Sequence, residues 1–174
     1  DITTTKLGTD WYGNKLGYQI GTFLVRPLGI HDLDVRAEYT RIKPWVYTHR
    51  MALNSYTHYG DVLGHPLGPN SDELTFQVRR RFSRRLHTSL TYSKGRHGDN
   101  TADRNVGGDP LDGFGPGDSE NARFLDGIRS NHTSYAFDMS YEIAWQLFCR
   151  AGYARESYDG DGFNVYRFSI GLNE

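Results

Sequence analysis

Cysteine is almost absent from this 174-residue chain: Cys149 stands alone, so no disulfide framework holds the fold. No charge of one sign dominates, with 20 Lys+Arg against 21 Asp+Glu. A global field that would draw nucleic acid is therefore missing. Long apolar runs are also missing. Mean hydropathy is -0.66, and no stretch approaches the ~18 apolar residues of a membrane helix. The first ten residues show neither the basic start nor the apolar centre of a secretion signal. Aromatics, by contrast, make up 14% of the chain, led by 12 Tyr and 9 Phe, which argues against disorder. Twenty glycines accompany them. A polar, Gly- and Tyr-rich chain that still folds predicts extended strands with one wet face.

The dominant period is two. Tyr135, Phe137, Met139, Tyr141 and Ile143 alternate with Ala136, Asp138, Ser140 and Glu142. Leu74, Phe76 and Val78 alternate with Thr75, Gln77 and Arg79. Similar alternation runs through 33–40, 86–93 and 166–172, and more weakly through 16–25 and 147–156. Strict alternation predicts strands with one apolar and one polar face. Seven strands of about 9–12 residues have the length a tilted strand needs to cross a bilayer, longer than the ~5–6 residues usual in soluble sheets. The polar face carries Asp34, Arg36, Glu38, Arg79, Arg81, Asp138 and Glu142 in mid-strand, as the wet interior of a barrel would.

The connections sharpen this expectation. Short links at 27–32, 83–85 and 144–146 alternate with longer ones at 49–73, 95–132 and 157–163. That places all long loops at one end, the pattern of outer-membrane barrels. Aromatics near the strand ends (Trp45, Tyr47, Tyr92, Trp145, Tyr153 and Tyr158) fit interfacial girdles. The expected fold is all-β, a transmembrane antiparallel β-barrel in the bacterial outer membrane. Counting seven strands back from an inward-running last strand, 164–173, leaves the N-terminus outside. Barrels have even strand numbers and must close. The whole of 1–174 is therefore expected to be the C-terminal part of one larger barrel domain, with 1–13 as an outer loop.

The segment AEYTRIKPWVYTHRMALNSYTHYGDVLGHPLGPNSDE, residues 37–73, resembles the Wzi-type capsule-assembly outer-membrane barrels. The matching features are a strand ending EYTRIKPWVYTH and the outer loop NSYTHYGDVLGHPLGPNSDE that follows. The resemblance implies an eighteen-stranded, monomeric barrel, of which this chain supplies about the C-terminal third. It also implies a non-catalytic, lectin-like role in attaching surface polysaccharide. The end GLNE departs from the aromatic terminus usual in such barrels.

Three segments could carry chemistry. In the loop 54–73, Gly60, Gly64, Pro66, Gly68 and Pro69 set successive turns. Between them lie Tyr56, His58, Asp61, His65, Asn70 and Asp72, the candidate ligand residues. Aromatic faces with planar Asn and Asp groups suit sugar hydroxyls. The same side chains equally suit tying a folded loop to the barrel wall. Their irregular spacing gives no zinc pattern. In the loop 95–132, Asp99, Asp103, Asp109, Asp112 and Asp118 lack calcium-loop spacing, and GFGPG at 113–117 is a turn cluster. The run RRRFSRR, 79–85, resembles a nucleic-acid patch, but alternation sends Arg79 and Arg81 to the wet face and Arg84 and Arg85 into a turn.

Catalysis has little support. His87 and Ser89 share a strand and a face with no nearby acid. Cys149 is expected on the apolar face, where a thiol is inert. No cofactor, metal or nucleic acid is expected. The expected partners are outer-membrane lipid, surface polysaccharide and further envelope proteins. Two alternatives stand beside the lectin-like reading: a porin or diffusion channel lined by the inward charges, and a structural barrel subunit of a larger envelope assembly.

Overall fold

The computed structural model describes residues 4–49 and 51–172. Residues 1–3 of the expected outer loop, Arg50, and Asn173 at the end of the last expected strand lie outside them, as does Glu174.

Seven long strands form one antiparallel sheet: β1 (Gly17–Val25), β2 (Leu33–Ile42), β5 (Ser71–Arg81), β6 (Leu86–Asp99), β7 (Ile128–Ala144), β8 (Leu147–Tyr158) and β9 (Asp161–Leu172), in that order. A separate pair, β3 (Thr57–His58) and β4 (Asp61–Val62), makes a small hairpin. β1 and β9 are the edges, so the sheet is not closed among the described residues. All seven periodic segments are strands. Three boundaries differ from expectation. β6 runs to Asp99 and β7 begins at Ile128, so both strands extend into the expected loop 95–132. β8 and β9 are joined by only Asp159 and Gly160, both at positive φ, rather than by a seven-residue loop. That is the two-residue turn whose twist matches paired strands.

The chain divides into two compact units. One consists of residues 20–39, 74–94 and 132–174, the bodies of the seven strands. In β5 and β7 its side chains are distributed inside out. In β7, Tyr135, Phe137, Tyr141 and Ile143 are exposed, whereas Ser134, Ala136, Asp138, Ser140 and Glu142 between them are half-buried. In β5, Leu74 and Phe76 are exposed beside half-buried Thr75 and Gln77. Register carries the apolar rows across strands: Phe137, Tyr153 and Tyr166 align, as do Tyr141, Cys149 and Ile170. Phe168 remains 72% exposed, and Ala154 is this unit's one buried hydrophobic among the described residues.

The other unit consists of residues 1–19, 40–73 and 95–131, two long connections with the strand ends that bear them. It holds a conventional core: Ile42, Trp45, Val46, Val106 and Leu125 are buried. Trp45, expected in an interfacial girdle, is 1% exposed and is corrected to a core residue. Its backbone N–H donates to Gly107 at 3.0 Å, and its ring meets Phe114 edge-on at 5.2 Å. Phe114, from the GFGPG cluster, in turn stacks on Tyr12 at 3.8 Å. Asn100 Oδ1 accepts the N–H groups of Val106 and Gly108, holding the 100–127 connection against its own strand. Loops of this length normally keep their backbone wet. Here side-chain amides partner the backbone around the buried Val106, Gly107 and Gly108.

Candidate functional site

The 43–70 connection presents the β3–β4 hairpin. Tyr59 and Gly60 form its turn with φ of 50° and 90°, the pairing of positive values that a two-residue hairpin turn requires. The turn leaves Tyr59 95% exposed, with the His58 ring edge-on at 4.3 Å. His58 pairs across the hairpin with Asp61, and both are exposed. Tyr56 is exposed and its ring stacks near Tyr47, with centroids 6.2 Å apart. His65 is half-buried: its N–H donates to the Tyr47 hydroxyl at 2.9 Å, and its Nδ1 accepts from the Leu67 N–H.

The last two candidates behave differently. Asn70 is 0% exposed. Its Nδ2 donates to Gly98 O at 2.7 Å and Asp126 O at 3.1 Å, and its Oδ1 accepts the Leu125 N–H at 2.7 Å. Asp72, also buried, accepts two hydrogen bonds from Arg96 at 2.9 and 2.5 Å. Between them Ser71 Oγ contacts Leu67 O, Pro69 O and His97 Nδ1, each at 2.9 Å. Buried polar groups need such partners. Asn70 and Asp72 are therefore ties that shape the loop, while Tyr56, His58 and Asp61 form one exposed patch with Tyr59.

The same unit has an open polar pocket of about 420 Å³ whose lining includes Asp10, Arg104, Asn105, Asn121, Arg123 and Asp126, with Trp45 at its wall. Arg104 forks onto Asp126 with two bonds of 3.1 Å. The Gly127 N–H on the Asp126 carboxylate, helped by the charges of Arg104 and Arg123, holds its pKa below the usual carboxylate range, against the opposing effect of burial. The Trp45 indole N–H is buried without a partner among the described residues. These residues were missed by sequence reasoning, because nothing in their spacing joins 10, 45 and 104–126 before the loop packs.

The strand unit has its own concavity, of about 1140 Å³, along its polar faces. Asp34, Gln77, Arg79, Ser89, Asp138, Arg150 and Arg167 line it. Arg167 reaches Asp138 at 3.2 Å across Gly152, which sits between them in register. A Cβ at Gly152 would lie 2.7 Å from Asp138 Oδ1, so any other residue there makes the pair shift. Arg81 pairs with Asp32 at 2.5 Å. His87 and Ser89 line the same concavity, and no carboxylate among the described residues partners His87. No group of three His, Cys, Asp or Glu close enough to hold a metal occurs among the described residues. Two acidic residues of the second connection serve turns: Asp109 accepts from Leu111 N and Asp118 from Gly115 N.

No curated protein and no solved structure matches this chain. A family model does, over residues 4–159, and it extends well beyond the 37–73 segment that carried the sequence resemblance. The chain is a member of the Wzi family of capsule assembly proteins.

Proposed function

We propose that this chain is a stretch of wall from a closed transmembrane β-barrel in the bacterial outer membrane, and that its long-loop unit holds surface polysaccharide without chemically changing it. The observation that carries this reading is the inside-out pattern of β5 and β7: exposed Leu74, Phe76, Tyr135, Phe137 and Tyr141 flank half-buried Thr75, Gln77, Ser134, Asp138 and Ser140. In water such a face would cost about 25 cal/mol per Å² of apolar area. Acyl chains remove that cost, and they accept long apolar ribbons whose backbone is fully paired. Further strands pairing with β1 and β9 would close the sheet, in keeping with an eighteen-stranded barrel.

Glycan holding rests on the loop unit. Tyr56, His58, Tyr59 and Asp61 offer ring faces and planar acceptors on and beside the hairpin, and the polar pocket offers amide and guanidinium donors. Each contact is worth about 0.5–1.5 kcal/mol, and a polymer engages many. Replacing Tyr56, His58 and Tyr59 together by Ala is expected to lower retention of surface polysaccharide on cells at least tenfold, with the barrel level in the membrane unchanged. Unchanged retention removes the hairpin from the site. The charged concavity favours a second reading, a diffusion channel. Steady ionic current through planar bilayers supports the channel, and a sealed lumen supports the lectin-like role.

A further inference from the structure

We infer that the polar concavity of the strand unit is an anion-binding groove that takes the carboxylate or other oxyanion groups of an acidic polymer, in preference to neutral sugar. The chain as a whole is nearly neutral, at -1. The groove is not. Arg26, Arg79, Arg81, Arg150 and Arg167 line it against Asp32, Asp34 and Asp138. Two of those three carboxylates are already neutralised by Arg81 and Arg167. Arg79 is exposed and has no hydrogen-bond or ion-pair partner among the described residues.

The register adds donors to the surplus charge. Ser140, Arg150 and Ser169 lie side by side on β7, β8 and β9, and all three line the groove. The Arg150 guanidinium, which also lies over the Phe148 ring at 5.3 Å, adds its charge and N–H groups to the two hydroxyls beside it. Low-dielectric sheet on one side focuses that field into the concavity. Rings of arginine select anions in pores for the same reason. The preference for anions stands on this lining alone. Naming the anion as part of a glycan rests on the polysaccharide reading proposed above.

The probe pair is dextran sulfate and dextran, one backbone with and without anionic groups, titrated onto the intact protein in neutral detergent. Dextran sulfate is expected to bind at least tenfold more tightly than dextran, with an affinity that falls as salt rises. Arg79→Gln with Arg150→Gln should lower that affinity about tenfold, and the matching Lys pair should restore most of it. Asp34→Asn, which removes one of the acidic residues lining the groove, should raise affinity. Equal binding of the two polymers overturns the proposal, as does dextran sulfate binding that ignores both the Arg→Gln pair and Asp34→Asn. Sulfate binding through Arg79 and Arg150, without retention of cell-surface polysaccharide, leaves the anion groove standing and removes the glycan as its occupant.

Discussion

At the scale of single residues, the loop unit depends on a few side chains that stand in for backbone. Asn70 donates to two carbonyls and accepts one N–H, each from another segment of the chain. An Asn70→Ala chain removes all three bonds, those to Gly98 and Leu125 buried and that to Asp126 partly so, at about 1–3 kcal/mol for each unsatisfied buried group before relaxation. The expected net loss is about 3 kcal/mol, read directly as faster hydrogen exchange at the Leu125 amide. Normal protection there would show that the tie is dispensable. Asp126 gives the unit a pH dependence. Its folded pKa lies below the unfolded carboxylate value of about 3.9. Its contribution is therefore complete above that value and fades as pH falls through the folded pKa. Asp126→Asn is expected to lower loop-unit stability by about 0.5–1 kcal/mol at neutral pH, and to flatten its decline below about pH 4. An equal acid decline in both proteins assigns the effect elsewhere.

Between residue and sheet, alternation was legible wherever a strand has two unlike environments. Residues 135–143 announce β7 because each neighbour differs in polarity, and pleating sends neighbours to opposite faces. The extension of β6 to Asp99 and the start of β7 at Ile128 were not legible. Arg96, His97 and Gly98 on one side, and Arg129, Ser130 and Asn131 on the other, are polar on both faces, so the period has nothing to show. Asp159 and Gly160 did carry a known hairpin signal, and the polar residues around them concealed how tight the turn is. Gly152 is invisible in the sequence as a spacer and clear in the register. Gly152→Val keeps good strand propensity but fills the space between Asp138 and Arg167. A double-mutant cycle on Asp138→Asn and Arg167→Gln should give about 0.5 kcal/mol of coupling in the parent and none in the Gly152→Val background. Equal coupling in both would mean the pair does not cross the glycine.

The candidate ligand residues divide by the same logic. Tyr56, His58 and Asp61 sit on a two-residue hairpin whose turn residues could be read in order, and they emerge exposed. Asn70 and Asp72 have identical chemistry on paper, yet their partners come from Gly98, Arg96, Leu125 and Asp126, up to 56 residues away. A composition that suits sugar equally suits a loop tie, so sequence left both uses open.

For the molecule as a whole, the question is which solvent each face meets. If exposed apolar rows meet lipid, a charge placed there costs far more than one on the opposite face. Phe137→Arg is expected to cost about 2–4 kcal/mol of stability in phosphatidylcholine vesicles, and Ser140→Arg under about 1 kcal/mol. Urea-dependent folding into vesicles measures both. Equal costs would remove the membrane reading and leave the sheet without an account of its exposed Phe and Tyr. By itself, the sequence determined the strands and their two unlike faces, since both follow from local polarity repeating with the pleat. Only the tertiary structure decided that most of the buried hydrophobic residues, Trp45 among them, lie in the unit of the long connections. It alone showed that Arg surplus gathers in one concavity. Both depend on residues distant in the chain meeting in space, and no local pattern records which of them will meet.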